Sequence, residues 1–387
     1  MTIQIPLSSP DIDQSDRQAV LDVLSGSVLS IGPRVIEFEE GLARAAGRRH
    51  AVAVSSGTAA LHLIVRALGW GEGDEVITTP FSFVASANCL MYEKVRPVFV
   101  DIDPETRCID PARVEAAITP RTVGILSVDV FGVPADWAAL EQIASRHGLQ
   151  LLTDSCESLG SSRTVDGRRV RAGESGVAGA FAFYPNKQIT TGEGGAVVTD
   201  DDRVAAACQS MRNQGRDPGA GWLQHARLGF NFRLSELNAA LGTSQLARLE
   251  AIRERRAAVA ARYDALLEPL QGRVATPRVP AGATVSWFVY VVELAAQYGA
   301  AERDRCLEGL RAAGIGCSNY FSPIHRQPYI VEALGHRPGD FPITERIAER
   351  TIALPFHTNL GADDQARVAE ALTREVGRVA PATRVGS

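Results

Sequence analysis

The feature that most constrains the fold is an alternation between Arg49 and Thr199. Short Val/Ile/Ala-rich runs take turns there with amphipathic helical stretches. The runs Ala51–Val54, Glu75–Thr78, Arg96–Val100, Thr122–Val128, Gln150–Thr153, Ala178–Phe183 and Ala196–Thr199 read as strands. Between them, Thr58–Ala67, Val84–Tyr92, Pro111–Ala117 and Ala135–His147 read as helices. Strands that alternate with helices of this length predict a mainly parallel sheet covered by helices on both faces.

The rest of the chain follows a different pattern. After Ser235 an Ala/Leu/Glu/Arg-rich helical stretch runs to about Leu267, and a Pro/Gly-rich passage, Pro277 to Ala283, opens a second unit. In that unit Val285–Leu294 reads as a strand, Ala301–Ala313 and Ile343–Ala353 as helices, and the chain from Val376 as a frayed tail. With 387 residues, 45% of them hydrophobic, the chain can bury a full core. The expected division is a large α/β domain over 1–250 and a smaller C-terminal α+β domain over 251–387.

Several function classes are disfavoured. A formal charge of −5 with scattered Lys and Arg gives no footprint for nucleic acid; Arg253 to Arg256 reads as a solvated helix face. No 18-residue apolar run suggests a membrane span, and the first residues lack a signal peptide's basic and apolar regions. Six widely spaced cysteines form no CxxC pair, which argues against a zinc site or a disulfide framework and suits a reducing cytoplasm. No metal is expected.

Three motifs carry chemistry. In Val54-Ser55-Ser56-Gly57-Thr58-Ala59-Ala60-Leu61 a strand ends and a helix begins, with hydroxyls and a glycine at the turn. Free N–H groups and the positive end of the helix dipole there would bind phosphate, although an ordinary Ser/Thr cap would look the same. Leu151-Leu152-Thr153-Asp154-Ser155-Cys156-Glu157 sets an acid at the carboxyl end of a buried parallel strand, where open α/β sheets bind ligands. Capping of a following helix is the other reading of Asp154. The sharpest is Phe181-Ala182-Phe183-Tyr184-Pro185-Asn186-Lys187-Gln188-Ile189-Thr190-Thr191-Gly192-Glu193-Gly194-Gly195, a lone lysine between two strands, flanked by Pro and a Gly-rich turn. A lysine becomes a nucleophile toward carbonyls when its surroundings favour the free amine. A surface loop with an incidental lysine is the alternative; the order of the three motifs favours one cofactor site.

Taken together, these motifs resemble the DegT-type sugar aminotransferases, a family of fold-type-I pyridoxal-phosphate enzymes. The resemblance runs from about Pro6 to Leu372 and includes Gly229-Phe230-Asn231-Phe232-Arg233-Leu234-Ser235-Glu236 and Pro323-Ile324-His325-Arg326-Gln327-Pro328-Tyr329. It implies that Lys187 forms the Schiff base with pyridoxal 5'-phosphate and later shuttles the proton. Asp154 would pair with the pyridine nitrogen and keep it protonated, and Phe83 would stack on the ring. Glu157 stands near the phenolic oxygen, where the family often has Gln. Ser56, Gly57 and Thr58 would hold the phosphate. Asn231 would reach the phosphate of the neighbouring subunit, so a homodimer with shared sites is implied. His325, with Tyr320, would line the substrate mouth.

Two departures stand out: Ala182 replaces a serine that bonds the phosphate in many relatives, and Tyr184 replaces a common His. The resemblance implies transfer of an amino group from L-glutamate to a keto sugar on a nucleotide, with the wording around Gly192 closer to members that aminate a 4-keto carbon. A keto-cyclitol acceptor, or a non-catalytic regulatory relative that binds the cofactor, are the alternatives. His50, His62, His147, His225, His336 and His357 have no metal-like spacing and read as packing or surface residues.

Overall fold

The computed structural model describes residues 3–379 apart from 218, 220 and 222. Strands run over His50–Val54 (β1), Glu75–Thr78 (β2), Arg96–Phe99 (β3), Thr122–Val128 (β4), Gln150–Asp154 (β5), Ser162–Val165 (β6), Arg168–Arg171 (β7), Ala178–Ala182 (β8) and Gly195–Thr199 (β9). Toward the C-terminus follow Val274–Ala275 (β10), Ala283–Thr284 (β11), Tyr290–Leu294 (β12) and Thr351–Leu354 (β13). Helices are Gln14–Leu24 (α1), Pro33–Ala46 (α2), Gly57–Ala67 (α3), Ala85–Met91 (α4), Pro111–Ala116 (α5), Trp137–His147 (α6), Asp202–Arg212 (α7), Glu236–Ala247 (α8) and Leu249–Leu267 (α9). Ala300–Ala312 (α10), Pro328–Leu334 (α11), Pro342–Ala348 (α12) and Ala362–Arg378 (α13) complete them.

The central sheet has the order β1-β9-β8-β5-β4-β2-β3. Its pairs are parallel except where β9 meets β1 and β8. The mainly parallel sheet expected from the alternation is therefore present, with one reversed strand. Central strands such as β2, β8 and β9 bury nearly every residue, as a sheet sandwiched between helices requires. Because β1, β2, β4, β5 and β8 point the same way, their carboxyl ends open on one edge, and the three motifs all lie there.

A second, smaller sheet of order β10-β12-β13 is antiparallel. Its core, with Tyr263, Tyr290, Leu310 and Leu372, is separate from the core of the large sheet. Three expectations need correction. The helical stretch from Ser235 to Leu267 is two helices, broken at Arg248, whose guanidinium is drawn to Asp11, Asp13 and Asp16 near the N-terminus. Ile343–Ala353 is helical only to Ala348; Thr351–Leu354 pairs with β12 as a strand. Val285–Leu294 is a strand only from Tyr290, because upstream backbone groups bond to side chains instead: Ser286 to Ser161 and Gln188, Trp287 and Phe288 to Arg256. The helix α13 also carries order to Arg378, past the expected start of the tail; residues 380–387 lie outside the described residues.

Candidate active site

The site is built on the carboxyl edge of the large sheet. After β1, Ser56 caps α3 by accepting the Ala59 N–H at 3.1 Å. The first N–H groups of the helix have no partner one turn back and face outward with its positive end. Gly57 is at this point by necessity, since a Cβ would come within 2.7 Å of the Ala182 Cβ and 3.0 Å of the Cys156 Sγ. Ser56 and Thr58 are half-buried beside it.

At the end of β5 the Asp154 carboxylate is buried, 6% exposed. One oxygen accepts the Ser86 hydroxyl at 2.8 Å and the other the Cys156 N–H at 3.2 Å. Three residues on, the Glu157 carboxylate accepts the Phe131 N–H at 2.9 Å and lies 3.5 Å from the Lys187 Nζ. Burial pushes the Glu157 carboxyl above its usual value, against the pull of the Lys187 cation.

Lys187 sits on the turn between β8 and β9. Its Nζ lies 4.0 Å from the centre of the Phe288 ring, and its carbonyl accepts the buried Arg256 guanidinium at 2.8 Å. Gln188 ties the next residue to the carbonyls of Glu157 and Ser286. The lysine backbone is thus fixed from three sides, while its amine rests on an aromatic face beside one carboxylate. Thr191 and Asn238 hold the following turn, with Gly192 at φ 80° and the exposed Glu193 contributing its carbonyl.

The other residues singled out from sequence fall in different places. Phe83, on the turn after β2, is 62% exposed, a large ring with little cover from its own chain. Tyr320 is half-buried, stacked on Phe321 and near Phe131, and burial followed by the Glu157 charge pushes its hydroxyl up. Asn231 is exposed on a loop beside the end of β1 and away from any bond to Lys187 or Asp154. His325 does not meet its expectation. It is 0% exposed, its Nε2 pairs with Glu345 at 2.9 Å, and its ring packs on Phe341 at 4.7 Å, so it is buried as a packing residue.

Ser86, Phe131 and Phe288 escaped the sequence reading, and Arg256, read there as part of a solvated helix face, is instead 3% exposed and turned inward to the carbonyls of Lys187, Trp287 and Phe288. Ser82 and Ser86 form a helix-spaced pair, bonded to each other at 2.8 Å, and that spacing was the one signal available. The others act through a backbone N–H, a ring face and a long reach from α9.

Chemically, the set fits pyridoxal 5'-phosphate. It offers an amine for the aldehyde, a buried carboxylate suited to a cationic ring nitrogen, and a helix start with a side-chain-free cradle for the phosphate. Among the described residues no group of three or more His, Cys, Asp or Glu could hold a metal ion, and no helix is long and apolar enough to cross a membrane.

Comparison with known proteins gives the same direction. Residues 10–373 match the model of the DegT/DnrJ/EryC1/StrS aminotransferase family. The spore coat polysaccharide biosynthesis protein SpsC of Bacillus subtilis is 35% identical over 378 residues, 95% of this chain and 96% of that protein. GDP-perosamine synthase of Caulobacter vibrioides is 35% identical over 370 residues, 95% of this chain and 97% of its own. Among solved structures, DesI in the presence of its TDP-sugar product is similar with a TM-score of 0.87 at 34% identity, covering 98% of this chain and 94% of that one.

Proposed function

From the premise that the chain belongs to the DegT/DnrJ/EryC1/StrS aminotransferase family, fold-type-I enzymes whose cofactor is pyridoxal 5'-phosphate, we propose that it moves an amino group from L-glutamate to a nucleotide-linked 4-keto-6-deoxy sugar. The observation that carries this reading is the Lys187 amine, on the turn after β8, facing Glu157 and lying on the same sheet edge as Asp154. Similarity to GDP-perosamine synthase and to DesI supports a nucleotide sugar as acceptor, and similarity to SpsC supports a place in polysaccharide biosynthesis.

When bound, pyridoxal 5'-phosphate supplies an aldehyde that takes up the donor's amine and a ring that draws electrons from the reacting carbon. The chain's residues do the rest. The Lys187 amine would hold the cofactor through its aldehyde and, when free, would carry the proton at the donor's α-carbon on its Nζ. Asp154 would keep a positive charge at the ring nitrogen, and the Ser86 hydroxyl fixes that carboxylate. Ser56, Gly57 and Thr58 would bind the phosphate, Phe83 would cover one ring face, Glu157 would serve the phenolic oxygen, and Tyr320 would line the substrate mouth.

Asn231 serves the partner's site in a homodimer. Exposed Leu21, Leu24, Leu29, Ile31 and Ile36 support such a contact, because a monomer would leave this apolar group in water. The division into 1–250 and 251–387 and a cytoplasmic location, suited to six unpaired thiols, belong to the same proposal.

The test is a pair of half-reactions. L-Glutamate alone should bleach the cofactor's absorbance and release 2-oxoglutarate; a nucleotide-linked 4-keto-6-deoxyhexose should restore it with a 4-amino product. Lys187→Ala should do neither, and borohydride should attach the cofactor at position 187 in the wild type. Restoration by keto-inositols but by no nucleotide sugar would overturn the acceptor assignment, and an unlabelled Lys187 would overturn the site.

A further inference from the structure

His62 is out of place on its helix. Between Ala59 and Val65, α3 buries apolar residues throughout, and His62 is buried among them at 8% exposure. Its Nε2 is 2.7 Å from the Glu93 Oε1, and Arg66, one turn further along, donates to both Glu93 oxygens at 2.9 Å. Burying such a group is costly unless every charge is paired, and apolar side chains would fill the same volume at less expense in desolvation. A polar triad kept in an apolar face calls for a purpose.

What lies on it is the loop that carries Asn231. Phe230 and Phe232 stack in parallel, 4.7 Å apart with planes at 5°. The His62 ring is 4.8 Å from Phe230 and 6.1 Å from Phe232, and the Arg66 guanidinium lies over Phe230 at 5.4 Å. The backbone here is extended: Asn231 bridges to Asn213, Phe230 accepts from Gln214, and Phe232 donates to the Arg212 carbonyl. Successive side chains of an extended segment point to opposite sides. With Phe230 and Phe232 both held against α3, Asn231 between them is turned away and left exposed. The Phe232 carbonyl also accepts the Ser55 N–H at 2.8 Å, one residue before the phosphate cradle. A single helix thus starts at the cradle of its own site and braces, further along, the loop offered to another.

We propose that His62, Glu93 and Arg66 are positioning residues for the neighbouring subunit's site: they clamp Phe230 and Phe232 so that Asn231 is presented to the cofactor phosphate of the partner. This rests on the reading that Asn231 acts between subunits, and goes beyond it by naming what sets that residue's aim. With Ala182 offering no hydroxyl, the partner's grip depends more heavily on Asn231, so the aim of this loop should be felt in cofactor affinity.

The experiment uses tagged heterodimers of the full chain. Arg66→Met and His62→Gln homodimers should hold pyridoxal 5'-phosphate about ten-fold more weakly than the wild type on titration of the apoprotein, the scale of one hydrogen bond to a charged group. Arg66→Met, at a part-exposed position, keeps the test open if His62→Gln does not fold. Each variant is then paired with a Lys187→Ala subunit. The site built around the clamp variant's Lys187 now receives Asn231 from a subunit whose clamp is intact. Such heterodimers should regain about half of wild-type turnover, one sound site of two, at a cofactor concentration that leaves the variant homodimer mostly empty. Unchanged cofactor affinity in the homodimers would overturn the proposal. So would heterodimers that stay inactive, since the defect would then lie within the variant's own subunit. An Asn231→Ala and Lys187→Ala heterodimer separates the two levels: recovery there alone removes only the clamp, whereas no recovery in either pairing removes the shared site as well.

Discussion

Glu157 is pulled two ways. Its burial favours the neutral acid, while Lys187 at 3.5 Å and the Phe131 N–H favour the carboxylate. The net direction is upward, so the ion pair does not fully offset desolvation. A buried acid whose folded-state value is raised binds its proton more tightly in the folded protein than in the unfolded chain. Its contribution to stability is therefore fully present below the ordinary glutamate range and is lost as pH rises through the raised value. Glu157→Gln keeps an acceptor for Phe131 and removes the titration. In the cofactor-free protein, its unfolding midpoint relative to wild type should rise between pH 4 and pH 8, measured by thermal scans across that range. A difference that is flat, or falls, with pH would refute the argument. At this scale the sequence was informative where the proposed function needs a residue type in a local phrase: Lys187 before its Gly-rich turn, Asp154 at a strand end. It was silent where function needs reach. Arg256 meets the Lys187 carbonyl from α9 and Phe288 meets its amine from the segment before β12, and no local pattern encodes such contacts.

Among elements, the strand ends do the positioning, and the tightest fit is between α3 and β8. Gly57→Ala places a methyl 2.7 Å from the Ala182 Cβ, which belongs to a strand paired on both sides and cannot retreat. The start of α3 must move instead, at a cost of about 1–3 kcal/mol by the usual scale of overpacking. The variant should unfold at lower temperature and release the cofactor on dialysis, whereas Gly71→Ala, with nothing within 4 Å, should leave both unchanged. Equal behaviour of the two variants would show that the cradle tolerates a side chain. The strands of the large sheet were legible because buried parallel strands are short apolar runs bounded by turns: Glu75–Thr78 and Thr122–Val128 match to the residue. The errors came from tertiary partners. The segment before Tyr290 is β-rich in composition, yet Arg256, Gln188 and Ser161 take its backbone bonds and divert it from the sheet to wall the lysine. Residues 351–353 read as the end of a helix because their fate as a strand is decided by β12, more than fifty residues upstream in the chain.

For the whole molecule, the exposed apolar segment and the Asn231 loop are tied into one framework. Gly32, Arg34 and Val35 donate their N–H groups to the buried Glu236 carboxylate at the start of α8, and Ser30 bridges to Ser235, close after Asn231. The exposed Leu29, Ile31 and Ile36 therefore lie on a segment tied to the start of α8, and the same framework holds the loop proposed to serve a partner subunit's site. Association and completion of the site should accordingly be inseparable. Leu24, 56% exposed at the end of α1, contributes little to its own subunit's core, so Leu24→Glu should leave the unfolding midpoint of the isolated chain within the range usual for surface changes. In a dimer the same glutamate would be an unpaired charge in an apolar contact, which weakens association strongly. Sedimentation velocity should find the variant as a monomer at concentrations where the wild type is a dimer. Its turnover should fall with the dimer fraction and return at high protein concentration. A wild type that sediments as a monomer with full activity would refute the shared site, and a dissociated variant with undiminished turnover would show that each subunit completes its own.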